Sequence, residues 1–340
     1  MTPIPSERPA GAGTPAARAA PAGPIHDLGY RGWQGATIPD AMRWWVIAAT
    51  GVRMAWKSMW LRRMLFFAWM PAFAFAVPFF VYEQALQDPG WLRGAAGTIE
   101  VYAGRELAQQ FQRDPSGTRH LVWSWLIMTY FQSPQAYLMI VLIALVVPPL
   151  ISRDLRSRAF LLYFSRPLTR SEYVLGKAAT VWCFLLLITA APSLALYVFG
   201  VLLSPDLGVL LDTWDIPLRI LAATVVVRVP TTALALWFSS MTTDSRYAAF
   251  AWFAVWVLGY VTWTIVYTST SRYDQATGTL QGGRDWKLVS LIRMLHDVES
   301  WVFGMRSNFA EVLPSLGVLT AITVVSVVWL FRRVAAPMRI

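Results

Sequence analysis

Cysteine, histidine and lysine are almost missing from this chain. Its 340 residues hold one Cys, Cys183, which excludes an internal disulfide and any site built on two thiolates. The three His residues, His26, His120 and His296, are scattered and do not make a metal-ligand pattern. Charge is scarce too. Charged side chains make up 14% and hydrophobic ones 56%, a balance that belongs to a polytopic membrane protein and not to a soluble domain of this length. A phosphate-cradling G-x-x-x-x-G-K-[ST] loop is also lacking. The Gly-Lys at Gly176-Lys177 is followed by Ala178, and Ser171 stands where the first Gly belongs. The first 24 residues have almost no large apolar side chain, and Pro, Ala, Gly and Thr dominate. Residues 1–40 are therefore expected to be a disordered tail, and without an apolar h-region the start is not a secretory signal.

What is present is long apolar runs. Six candidate spans cover 64–82, 135–151, 178–203, 217–240, 247–268 and 313–331, and residues 121–131 can extend the second across Pro134. Their aromatic content suits the two interfaces of a bilayer. With the N-terminus inside, the inside segments hold eighteen Lys/Arg and the longer outside segments nine, so both termini are expected in the cytoplasm. The net charge of +10 is thus a matter of topology, and no nucleic-acid partner is expected. Arg outnumbers Lys 26 to 3, the bias of a GC-rich bacterial genome, which points to a bacterial inner membrane.

These six runs contain no Asp, Glu or His, which argues against acid–base catalysis within the membrane, and the chain is not expected to be an enzyme. The one charge at depth is Arg228, two residues before Pro230. An unpaired charge there costs about 3 kcal/mol or more. It reads either as a path or dimer contact, or as a structural group that snorkels or bonds carbonyls freed by Pro230.

Three segments outside the runs are amphipathic. Residues 41–63 place Arg53 and Lys57 on one face among Trp and Met, the pattern of a helix lying in the interface before span one. Residues 285–304 put Leu288, Leu291, Ile292, Leu295 and Trp301 near one helical face between spans five and six. The third, 152–177, joins spans two and three with six Lys/Arg. Arg153, Arg156 and Arg158 lead into an apolar cluster from Ala159 to Phe164, Pro167 breaks it, and Thr169 or Ser171 with Glu172 signals the next helix start. By itself the segment reads either as a basic loop that enforces topology or as a docking surface.

The stretch ISRDLRSRAFLLYFSRPLTRSEYVLGK resembles the cytoplasmic loop of ABC-2 type transporter permeases. The matching positions are Asp154, where many members carry Glu, then Leu161 and Leu162, Arg166-Pro167-Leu168-Thr169-Arg170 and Gly176-Lys177. IHDLGYRGWQG at 25–35 is similar to a subgroup of bacterial members. The resemblance implies an all-α polytopic fold of six transmembrane helices over 64–340, an interfacial helix before them and an outside helix between spans five and six. It implies a permease that pairs with a second copy or a homologous permease within membrane lipid. A separate ATP-binding subunit would dock on loop 152–177 and carry the ATP and Mg, so no cofactor is expected on this chain. The docking residues would be Asp154, Arg156, Arg158, Phe160, Leu161, Tyr163, Arg166 and Arg170, with Asp154 pairing to an Arg of the loop or partner. The expected function is ATP-driven export of an unidentified substrate; the alternative is a non-transporting membrane module that anchors or transmits motion to another complex. The outside segments would be 83–134 and 269–312, the former longer than the family's usual connection.

Overall fold

The computed structural model describes residues 39, 42–159, 168–274, 279–281 and 286–335. Six helices are long and apolar enough to cross a membrane: Met59–Gln87, Arg119–Arg156, Arg170–Leu203, Asp215–Met241, Ser245–Thr270 and Phe309–Val334. They form an all-α bundle in which span four is the most enclosed and span five the least. Each is longer than its apolar run, because the polar residues at its ends continue the helical backbone.

The interfacial helix runs Arg43–Trp56, and Ser58, in extended conformation, ends it and caps span one by accepting from the Leu61 amide. Residues 59–63, expected in the interfacial helix, thus belong to span one. The interfacial helix lies directly on the start of span three. A Cβ on Gly176 would stand 2.6 Å from Ile47 Cβ, and one on Gly51 would stand 2.4 Å from Thr180 Oγ1. Two glycines therefore let two backbones meet, the device small residues provide in membranes.

Spans two and three are broken helices with identifiable causes. In span two, Pro134 has no amide to give the Tyr130 carbonyl, and Phe131–Gln135 adopt a π turn. A second break at Pro148-Pro149 is repaired from span four. Ser239 Oγ donates to the Pro148 carbonyl at 2.7 Å and accepts from the Ile151 and Ser152 amides at 3.2 and 3.3 Å. Ser239→Ala is expected to strand these buried groups and cost about 1–3 kcal/mol, read as a lower thermal midpoint of the detergent-solubilised protein. Span three bends at Thr189, whose hydroxyl bonds the Leu185 carbonyl at 2.7 Å, three residues before Pro192.

The segment 83–134 is not an extended outside loop. Span one continues to Gln87, helices Leu92–Ala103 and Arg105–Arg113 follow with Gly104 at φ 95° between them, and span two already begins at Arg119. Phe111, Ala95, Ala96 and Ile99 belong to one buried cluster with Phe79, Tyr82 and Trp123, which Leu196 of span three and Ile220 of span four also join, so the helix pair caps this end of the bundle. Tyr82 donates to the Pro115 carbonyl at 2.7 Å and closes the cap.

Between spans five and six, Arg272–Asp274 and Thr279–Gln281 pair as a short antiparallel hairpin that no sequence pattern announced. A lateral helix, Leu291–Val302, follows, capped by Ser290. It buries Leu291, Ile292, Met294, Leu295 and Val298. Leu288 and Trp301, expected on the same face, are exposed, because the helix starts only at Leu291 and Trp301 turns to Phe309, 5.0 Å between ring centroids.

Candidate functional site

At the end of the bundle where the interfacial helix lies, span two stops in a way that shapes the loop base. Its last segment, Pro148–Arg156, ends at Ser157, and Arg158 takes the left-handed conformation, φ 53°. That position usually belongs to glycine, so a non-glycine residue stands there under strain. Phe160, Leu161, Tyr163 and Arg166 lie outside the described residues. The chain is described again at Leu168, and Thr169 caps span three in a reciprocal box. Its hydroxyl accepts from the Glu172 amide, and Glu172 Oε2 accepts from the Thr169 amide at 2.7 Å. Arg170 is the first, exposed residue of that helix, while Arg156 and Arg158 are exposed on the other arm.

The two arms are joined by Asp154. The expectation was an Arg of the loop or of a docked partner. Instead, Asp154 Oδ2 meets Lys177 Nζ at 2.8 Å and accepts from Tyr173 Oη, also at 2.8 Å. Only 15% of the Asp154 side chain and 10% of the Lys177 side chain are exposed, and the ammonium sits 5.3 Å from the Tyr173 ring centroid. The Gly-Lys pair therefore has two physical tasks. Gly176 seats the interfacial helix, and Lys177 neutralises the acid at the end of span two. The ends of spans two and three and the interfacial helix form one body at the loop base.

Arg228 is buried inside the chain's own bundle, 3% exposed, and not on a face open to a second copy. It neither snorkels nor bonds a carbonyl freed by Pro230: its Nη2 donates to Thr189 Oγ1 at 2.9 Å, linking span four to the bend of span three. Its Nε has no hydrogen-bond partner among the described residues. Next to Thr189 lies a small cavity of about 10 Å³, the size for one water, which Gln135, His296 and Glu299 also line. Gln135 Oε1, His296 Nε2 and Glu299 Oε2 are buried there without a protein partner among the described residues. Gln132, released by the π turn, ties the lateral helix to span two by donating to the His296 carbonyl at 3.0 Å and to Ser300 Oγ at 2.9 Å.

Complete burial pushes the Glu299 carboxyl up to about 8. Burial first, then the neighbouring Arg293, pushes His296 down to about 4. Both groups are thus held neutral near pH 7, and the signs of their linkage are opposite. Glu299, raised from 4.5, contributes stability that is whole below about pH 4.5 and is lost as pH rises through about 8. His296, lowered from 6.5, contributes stability that is whole above about 6.5 and is lost as pH falls towards about 4. Glu299→Gln is expected to keep the fold at neutral pH and to flatten the loss of thermal stability between pH 5 and 8. A pH–midpoint curve parallel to that of the unmodified protein counts against it.

The lateral helix also carries a charged clamp. Buried Asp297 meets Lys287 Nζ and Arg306 Nη1, each at 2.7 Å, and accepts from Ser315 Oγ of span six at 2.7 Å. On span two, His120 Nε2 lies 2.8 Å from Asp215 Oδ1, while Arg219 bridges Asp215 Oδ2 at 2.6 Å and the Val302 carbonyl at 3.0 Å. Glu83, one residue past the apolar run of span one, is fully buried and receives Arg119 and Trp123 of span two. Hydropathy could not find these acids, because each sits beyond the end of a run. A Gln before and after Pro134 was the one local sign that the interior of span two is polar.

Two helices meeting over glycines, an acid–lysine lock at a basic loop and a lateral helix before the last span are features of the whole chain, not of one motif. Comparison with curated proteins finds no match. Residues 45–335 match the family model described as ABC-2 family transporter protein, from the interfacial helix to the end of span six. The chain therefore belongs to the ABC-2 family of transporter proteins, as a multi-pass membrane module.

Proposed function

We propose that this chain is the permease of an ATP-driven exporter whose nucleotide-binding subunit is a separate chain docked on loop 152–177. The observation that carries the reading is the Asp154–Lys177–Tyr173 lock. It makes the two arms of the loop and the interfacial helix a single lever, so that displacement applied at the loop reaches spans two and three together. Phe160, Leu161 and Tyr163 would fill an apolar groove on the ATPase, since aromatic anchors in desolvated pockets dominate interface energies. Arg156, Arg158, Arg166 and Arg170 would ring the contact and steer association. ATP and Mg belong to that partner, as no phosphate loop is written in this sequence.

The orientation that goes with this reading places both termini in the cytoplasm of a bacterial inner membrane, supported by the eighteen-to-nine division of Lys and Arg. A second permease copy completes the transporter, and the apolar faces of spans one and five are open to it and to lipid. Co-purification tests the docking. Phe160→Ala with Tyr163→Ala is expected to lower recovery of the ATPase at least about tenfold, the effect of losing one or two anchors, while a double substitution in Leu92–Ala103 leaves it unchanged. Recovery of the loop variant at full stoichiometry under stringent washing defeats the assignment.

A further inference from the structure

Two cavities at the end of the bundle that carries the interfacial helix share one residue, Arg153. The first, about 370 Å³, is polar and lies between the end of span two and the turn joining spans four and five. Arg153, Arg156 and Arg246 line it with Ser152 and Ser245. Its one acid, Asp244, is engaged as the cap of span five, accepting from the Arg246 amide at 3.0 Å. None of the three guanidiniums has an ion-pair partner among the described residues. The cavity is thus strongly cationic and suited to a phosphate, which guanidinium groups bind through paired N–H donors. The second cavity, about 460 Å³, is a groove between the interfacial helix and span two. Its walls are apolar, including Val46, Met54, Leu145 and Leu150, and it ends on Arg153 and the Asp154–Lys177 pair.

We propose that the chain binds one anionic phospholipid here, its phosphate on Arg153 and Arg246 and an acyl chain in the groove beneath the interfacial helix. The division of polarity at Arg153 is that of an amphiphile. A soluble phosphate compound leaves the apolar groove unused, and an acidic protein segment has no alkyl chain to fill it. Three arginines against one engaged acid select an anionic headgroup over a zwitterionic one, whose ammonium would face guanidinium groups. The exposed Trp45, Met54 and Trp56 already put the interfacial helix at headgroup level. A lipid seated there would wedge the helix against span three and tie the lever to the bilayer. The site stands whether or not an ATPase docks on the neighbouring loop.

The test is native mass spectrometry of the full-length protein in detergent with added phosphatidylglycerol, phosphatidylcholine or inorganic phosphate. The expected result is one phosphatidylglycerol retained per chain in preference to phosphatidylcholine. The pair Arg153→Gln with Arg246→Gln should lower retention at least about tenfold, the effect of losing charge-assisted hydrogen bonds. Val46→Trp, which fills the groove, or Thr50→Trp on the same wall, should lower it with the arginines intact, and inorganic phosphate should not displace the lipid. All four side chains are exposed, so these variants are expected to elute as the unmodified protein does in size exclusion. Equal retention of the two lipids, unchanged retention in the arginine pair, no effect of either Trp, or full displacement by phosphate each overturns the proposal.

Discussion

Under the proposed function, Asp154→Asn is expected to leave the chain inserted and assembled with the proposed ATPase, yet to abolish the link between hydrolysis and transport. The carboxylate holds two groups of span three, the Lys177 ammonium and the Tyr173 hydroxyl, each at 2.8 Å. Breaking a buried pair by removing one partner costs about 3–5 kcal/mol, because the other charge stays desolvated. Here the Asp154 and Lys177 side chains keep 15% and 10% exposure, so the lower end of that range applies, which is too little to prevent folding and enough to let the arms of the loop move independently. Asp154→Arg should be worse, placing two cations together. The swap Asp154→Lys with Lys177→Asp should recover part of the coupling, which separates the ion pair from any other task of Asp154. The measurement is ATPase rate beside transport in reconstituted vesicles. Coupled transport at the unmodified level in Asp154→Asn removes the lock from the mechanism.

Glu83→Ala should have the largest effect on stability. Glu83 is fully buried and takes Arg119 Nη2 on Oε2 at 3.3 Å and the Trp123 indole N–H on Oε1 at 3.2 Å. Its removal strands a guanidinium that is 16% exposed, together with an indole donor in the hydrophobic cap over spans one and two, at a cost of about 3–5 kcal/mol. Glu83→Gln keeps an acceptor for Trp123 and should cost less. The double change Glu83→Leu with Arg119→Leu should be milder than Glu83→Ala, since an apolar pair leaves no charge buried alone. Thermal unfolding in detergent measures all three. A midpoint for Glu83→Ala within experimental error of the unmodified protein refutes the argument.

Much of this architecture could be read without coordinates, and the reason is the solvent. In hydrocarbon every backbone group must be satisfied within its own helix, so a run of about twenty apolar residues admits one structure. The six spans, the interfacial helix ahead of them and a helix before the last span follow from that rule and from a 3.6-residue rhythm. The start of span three was legible for a similar reason, because a cap at Thr169 or Ser171 and the early acid Glu172 are local signals, and the structure selects Thr169, whose capping-box partner is three residues away.

The polar interior was decided by tertiary structure alone. Glu83 and Arg119 are 36 residues apart, Gln132 and His296 164 apart, and Arg228 and Thr189 39 apart. Nothing in a hydropathy profile pairs such residues, and an acid just beyond an apolar run looks like the end of a span until another helix covers it. Asp154 shows the same division. Its presence at the end of span two marks a site, but the choice of Lys177 over any of the nearby arginines depends on geometry. Gly176 draws the interfacial helix onto span three, and the next residue along then faces span two, where the acid stands. Local chemistry determined the helices and their caps. Which buried charges meet was set by the packing of helices whose contacts lie far apart in sequence, where the cost of leaving a charge unpaired in a low-dielectric interior selects the partner.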